Sequence, residues 1–113
     1  NGRITIMFCS FDDKPLILRL YGKGRAVLNN SEEWKKYFSH FKIYPSTRQL
    51  IIADIDLVQM SCGFGVPEYE FKADRDIHFK WAEAKGEEGL NEYIQEKNLI
   101  SLDGLPTDLS IVK

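Results

Sequence analysis

The sequence predicts a mainly β, α+β fold in which antiparallel strands are followed by C-terminal helices. Three stretches rich in β-branched and aromatic residues alternate every second position, as strands do: residues 3–11, 16–28 and 49–57. After residue 74, apolar side chains recur at helical spacing instead. We therefore expect one small domain over residues 1–113, a length typical of single domains.

Composition excludes several classes of protein. With 43% hydrophobic and 28% charged residues, the chain is ordinary for a globular protein. A net charge of −2 and the lack of any block of like charge argue against a nucleic-acid partner. No run of about 18 apolar residues and no signal peptide are visible, so we expect no membrane association and a cytoplasmic location. Cys9 and Cys62 are expected to be free, buried thiols.

The first predicted strand is apolar on both faces. Ile4, Ile6 and Phe8 share one face, and Thr5, Met7 and Cys9 share the other. Such a strand is typically covered on both sides, as in a barrel wall with an outer layer or at a subunit interface.

The second predicted strand has one apolar and one basic face. Leu16, Leu18 and Leu20 form the apolar face, and Arg19, Tyr21, Lys23 and Arg25 form the other. The basic face is either a phosphate-binding surface with Tyr21 as an aromatic wall, or a solvated or subunit-contact surface. At Gly22 the side chains shrink, which predicts a bend, a bulge or a close backbone approach.

The third strand leads into the loop formed by residues 61–67, Ser-Cys-Gly-Phe-Gly-Val-Pro. Gly63 and Gly65 either permit unusual backbone conformations, allow another group to approach closely, or form an ordinary turn. Asp54 and Asp56 share a face of this strand. A carboxylate pair for catalysis or metal binding is one interpretation, and a cross-strand charge ladder with the basic face is the favoured one.

The remaining elements carry little chemistry. Asn29, Asn30 and Ser31 are expected to end the strand and to cap a helix that runs to about residue 41. A short edge strand is expected at 68–72, and two further helices at 75–85 and 87–98, separated by Gly86. His40 and His78 lack a partner at i+4, so no metal site is expected.

Several segments together carry a family resemblance. They are residues 1–9 (NGRITIMFC), 18–22 (LRLYG), 61–67 (SCGFGVP), and, downstream, Trp81-Ala82, Lys85-Gly86, Glu88-Gly89-Leu90, Tyr93, Lys97-Asn98 and Asp103-Gly104-Leu105-Pro106. With these segments, the chain resembles the pyridoxamine 5′-phosphate oxidase-like, FMN-binding split-barrel family over nearly its whole length.

This resemblance implies an antiparallel split β-barrel and a homodimer with FMN at the interface, acting on a small-molecule substrate. The chain would form a partial barrel, with Asn1 near the family's fourth strand and the first strands missing. On the same resemblance we expect Arg19 at the interface or on the phosphate side of the cofactor. The loop residues Ser61, Cys62, Gly63, Phe64 and Gly65 would lie with their backbone near the isoalloxazine.

Two departures from the family pattern leave two functions open. Ile17 stands near the position where the family's oxidases have a flavin-contacting glutamine, and no Arg-x-His substrate motif follows Pro67. The protein is thus expected to be an FMN-dependent oxidoreductase of the pyridoxamine or pyridoxine 5′-phosphate oxidase type. The alternative is a non-catalytic dimeric split-barrel protein that has lost the oxidase activity. No catalytic residue is assigned.

Overall fold

The computed structural model describes residues 1–29, 31–42 and 44–109. Its elements are β1 (Arg3–Cys9), β2 (Leu16–Leu28), α1 (Glu32–Phe38), β3 (Gln49–Cys62) and α2 (Ile77–Lys97). The strands form one antiparallel sheet in the order β1-β2-β3. This arrangement confirms the predicted α+β class.

Backbone contacts divide the chain into two compact units. The sheet unit comprises Asn1–Ala26 and Ile51–Asp74, and the helical unit comprises Val27–Leu50 and Arg75–Lys113. Most of the three strands belongs to the sheet unit, and both helices belong to the helical unit.

Strands β1 and β2 form a hairpin in the expected place. Their register runs from Arg3 opposite Lys23 to Cys9 opposite Ile17. The Ser10 amide donates to the Leu16 carbonyl at 2.9 Å and closes the turn. Strand β1 therefore ends two residues before the predicted end at residue 11, because the chain has already begun to turn.

Strand β3 is longer than predicted and ends at Cys62 rather than at residue 57. It lies next to β2 in the sheet, and the Tyr21 hydroxyl donates to Gln59 Oε1 at 3.2 Å beyond the predicted strand end. Pairing with β2 extends the strand through residues whose polar character suggested a loop. Ser61 and Cys62 are consequently strand residues, which corrects the predicted loop boundary.

Gly22 lies where the sequence predicted a close backbone approach. The residue is buried, and a Cβ atom there would overlap the Asp54 carbonyl oxygen and lie 3.0 Å from the Ile55 Cα. The backbone of β3 occupies the space that a side chain would need. Only glycine fits this position without moving main-chain atoms.

The predicted edge strand at residues 68–72 is wrong, since these residues adopt no strand structure. The segment is instead attached to the β1–β2 turn. The Tyr69 amide donates to the Phe11 carbonyl at 3.0 Å, and the two rings meet edge to face with centroids 5.4 Å apart. One backbone hydrogen bond does not establish a ladder.

Helix α1 begins as predicted and ends early. The Ser31 hydroxyl accepts a hydrogen bond from the Trp34 amide at 3.1 Å, which is the N-cap interaction. The helix ends at Phe38 rather than at residue 41, because the next amides bond to carbonyls three residues back instead of four. Of the predicted aromatic stripe, Trp34 is buried and stacks on Phe38 at 4.4 Å, whereas Phe41 is exposed.

Helix α2 is interrupted where the sequence predicted a break. Gly86 has φ 65° and ψ −179°, a non-helical conformation that divides α2 into two segments. The first segment starts at Ile77 rather than just after residue 74. The Asp76 carboxylate does not cap it with its side chain, and instead pairs with Lys80 at 2.6 Å.

The buried apolar side chains of the described residues all lie in the helical unit: Val27, Trp34, Ala82 and Leu90. Many large apolar side chains of the sheet unit are exposed, among them Met7, Phe8, Phe11, Leu16, Ile51, Ile55, Leu57, Val58, Met60, Phe64, Tyr69 and Phe71. Large contiguous patches of exposed apolar side chains are typical of contact surfaces.

Candidate functional site on the sheet

Two of the predicted cofactor-binding residues contact each other across β2 and β3. The Arg19 guanidinium donates from Nη1 to Ser61 Oγ at 2.9 Å, and both residues are half-buried. The two strands are neighbours in the sheet, which places side chains from distant parts of the sequence side by side. Partial burial reduces screening by water, so the guanidinium interacts more strongly with a nearby anion than it would in bulk solvent.

A second polar contact lies one step along the same face. Tyr21 on β2 donates its hydroxyl proton to Gln59 on β3. We call Arg19, Tyr21, Gln59 and Ser61 together the Arg19 face. Gln59 was not predicted from the sequence, because the apolar side chains at every second position of β3 end at Leu57. Continuing the odd-numbered positions of β3 would have placed Gln59 beside Ser61.

Cys62 does not share this face. Successive strand residues point to opposite sides, so the Cys62 side chain lies opposite to that of Ser61. Cys9 and Cys62 are both free thiols, as predicted. The expected burial is wrong, because Cys62 is exposed and Cys9 is only half-buried.

The two glycines of the loop have different environments. A Cβ atom at Gly63 would lie 2.7 Å from the Leu16 nitrogen and 3.0 Å from the Pro15 carbonyl carbon. The close approach at Gly63 is therefore made by the chain's own backbone. Gly65 faces open space, with no atom within 4 Å of an added Cβ. Neither glycine has a positive φ, so unusual backbone conformation is not the reason for either.

The loop itself is a tight turn with an exposed aromatic side chain. The Val66 amide donates to the Gly63 carbonyl at 2.8 Å and closes the turn. Phe64 at its tip is 83% exposed. The segment therefore forms a turn, with Phe64 and Gly65 exposed at its tip.

The favoured charge ladder is wrong for Arg19, whose cross-strand partner is Ser61 rather than an aspartate. Asp54 and Asp56 are both exposed.

Within residues 1–29, 31–42 and 44–109, no group of three or more His, Cys, Asp or Glu side chains is arranged to hold a metal ion. No helix in the same ranges is long and apolar enough to cross a membrane.

The donor set of the Arg19 face fits an oxygen-rich anionic group. A guanidinium carries five N–H donors in a planar fork, and the contact with Ser61 engages one of them. The Ser61 hydroxyl accepts that bond and can itself donate a proton. These properties suit a phosphate or a ring carbonyl of FMN. Cys62 does not contribute to this donor set, because its side chain lies on the opposite face of β3. Gly63 does not contribute either, because the chain's own backbone occupies the space beside it.

Comparison with known proteins identifies a curated relative of the chain. No family model and no solved structure matches the chain. The chain is similar to the pyridoxamine 5′-phosphate oxidase family protein ustO of Aspergillus flavus, with 39% identity over 121 aligned positions. The alignment covers 94% of the chain and 49% of that protein, so the chain spans about half the length of this curated relative. The match supports the resemblance to the pyridoxamine 5′-phosphate oxidase-like family that the sequence motifs indicated.

Proposed function

We propose that the protein is an FMN-dependent oxidoreductase with a split-barrel fold. Its substrate would be a small molecule of the pyridoxamine or pyridoxine 5′-phosphate type. The observation that carries the proposal is the contact of Arg19 with Ser61. The family resemblance implies that both residues lie near the cofactor, and the contact brings them together. The similarity to a pyridoxamine 5′-phosphate oxidase family protein supports the same assignment.

In this proposal the Arg19 face holds the cofactor. Arg19 supplies positive charge to an anionic or carbonyl oxygen, and Ser61 fixes the orientation of the guanidinium. Tyr21 and Gln59 flank the pair and restrict the approach to it. FMN, when bound, supplies the redox chemistry by accepting a hydride from the substrate. The chain contributes position, electrostatic stabilisation and exclusion of water.

We also propose a homodimer. The exposed apolar side chains of the sheet unit support this proposal, since burying them on a partner would remove apolar surface from water at about 25 cal/mol per Å². Sedimentation of the purified protein tests it. Dimers or larger assemblies at micromolar concentration are expected, and a sharply defined monomer would contradict the proposal.

A second candidate is a non-catalytic split-barrel protein that binds FMN without turnover. Two observations favour it: Ile17 stands near the position of the family's flavin-contacting glutamine, and residues 68–113 contain no Arg-x-His motif. A site without these groups would keep its cofactor and lack the contacts that position the expected substrate.

The colour of the purified protein tests the flavin, and an assay separates the two candidates. We expect a yellow protein that releases fluorescent flavin on denaturation. A colourless protein that takes up no FMN on reconstitution would contradict both candidates. Oxidation of pyridoxamine 5′-phosphate with hydrogen peroxide release would support the oxidase and exclude the binding protein. Bound flavin without such turnover would support the binding protein.

A further inference from the structure

The helical unit contains a cavity that the proposed flavin chemistry does not use. Its volume is about 740 Å³, and its lining residues come from the segments before β3 and from α2. Binding sites for small molecules are typically about 300–1,000 Å³ in volume. The cavity is therefore large enough for a ligand of its own.

One part of the lining is aromatic. The Trp81 indole is stacked with the His78 ring at a centroid distance of 5.7 Å and an interplanar angle of 14°. The Tyr93 ring meets the indole edge to face at 5.1 Å. Rings held against one another in this way lose little further freedom when a ligand ring packs on them.

The lining also contains positively and negatively charged side chains. Arg48 Nη1 donates to Asn98 Oδ1 at 2.7 Å, which fixes the direction of the guanidinium. Glu83 and Glu87 line the same cavity and supply two carboxylates. The lining therefore offers a cation for a carboxylate and carboxylates for an ammonium group, and a ligand that carries both charges can use both at once.

We propose that this cavity binds a small zwitterion carrying an aromatic ring, of the chemical class of the free aromatic amino acids. The ligand ring packs on the cluster of Trp81, His78 and Tyr93. Its carboxylate meets Arg48, and its ammonium group meets Glu83 or Glu87. This assignment uses the aromatic, cationic and anionic side chains of the lining, and it is independent of flavin binding on the Arg19 face.

Three probes test the ligand class by titration calorimetry with the purified protein. They are L-phenylalanine, 3-phenylpropionate, which lacks the ammonium group, and phenethylamine, which lacks the carboxylate. L-Phenylalanine is expected to bind, and each of the other two to bind about tenfold or more weakly, as expected for loss of one charge-assisted hydrogen bond. Absence of phenylalanine binding at millimolar concentration, or equal binding of all three, would overturn the proposal.

Variants then locate the site. Arg48→Gln is expected to weaken phenylalanine binding about tenfold while leaving phenethylamine binding nearly unchanged, because only the first probe has a carboxylate. The double variant Glu83→Gln, Glu87→Gln should weaken phenylalanine binding and spare 3-phenylpropionate. Arg75→Gln is the matched control, since Arg75 is an exposed cation of the same unit outside the lining. If Arg75→Gln and Arg48→Gln had the same effect, the proposed site would be wrong.

Discussion

The Arg19 guanidinium and the Ser61 hydroxyl lie 2.9 Å apart although 42 residues separate them in sequence. The pairing of β2 with β3 creates this contact, and partial burial keeps the guanidinium from being fully solvated. The hydrogen bond also limits the rotamers of a long side chain. In the proposed function, Arg19 would therefore meet an anionic group at a reduced cost in side-chain entropy.

The two loop glycines differ in what substitution would do. Gly63→Ala is expected to destabilise the fold by about 1–3 kcal/mol, because its Cβ would press on the backbone at the start of β2. Gly65→Ala is expected to be neutral or to stabilise by up to about 1 kcal/mol, since its surroundings are open and its φ is not positive. Urea unfolding of both variants measures the difference. Equal free energies of unfolding would contradict the described loop geometry.

Gly22 and Gly24 form a second matched pair on β2. Gly22→Ala is expected to cost about 1–3 kcal/mol or more, because the backbone of Asp54 and Ile55 occupies the required space. At Gly24 the nearest atoms, at 3.1–3.3 Å, belong to the Ile4 side chain, so Ile4 has to shift by only a few tenths of an ångström and no backbone atom blocks the added Cβ. Thermal unfolding should therefore show the larger loss for Gly22→Ala. The reverse order would mean that β3 does not pass against Gly22.

The N-cap of α1 gives a local test in the helical unit. Ser31→Ala removes the acceptor for the Trp34 amide and is expected to cost about 1 kcal/mol. Ser31→Asp keeps an acceptor for this amide but cannot donate to the Leu28 carbonyl, as the Ser31 hydroxyl does at 2.8 Å, so it should recover part of the loss. Denaturant unfolding at neutral pH compares the two variants. An alanine variant as stable as the aspartate variant would show that the cap does not contribute.

The fold class was predictable because its signals are local. The period-two alternation located all three strands, and Gly86 marked the break in α2. Boundaries that depend on tertiary contacts were not predictable. Strand β3 continues through Ser61 and Cys62 because β2 lies beside it, whereas the apolar pattern alone ends near Leu57.

The candidate site was predictable only in part. Arg19 and Ser61 were both expected near a cofactor, but no sequence signal gave their mutual contact. Cys62 follows Ser61 in the same sequence motif, but its side chain lies on the opposite face of β3. The two side chains alternate because the strand continues through both residues. The cavity around Trp81 was missed, because its lining combines α2 with residues before β3 that carry no motif.

The most direct test of the account is FMN affinity measured by fluorescence titration of the flavin-free protein and three variants. Arg19→Gln is expected to weaken FMN binding about tenfold or more through loss of a charge-assisted hydrogen bond, and Ser61→Ala to weaken it less. Cys62→Ser, on the opposite face, should bind as the unaltered protein does. Unchanged affinity in Arg19→Gln together with a loss in Cys62→Ser would contradict the placement of the cofactor on the Arg19 face.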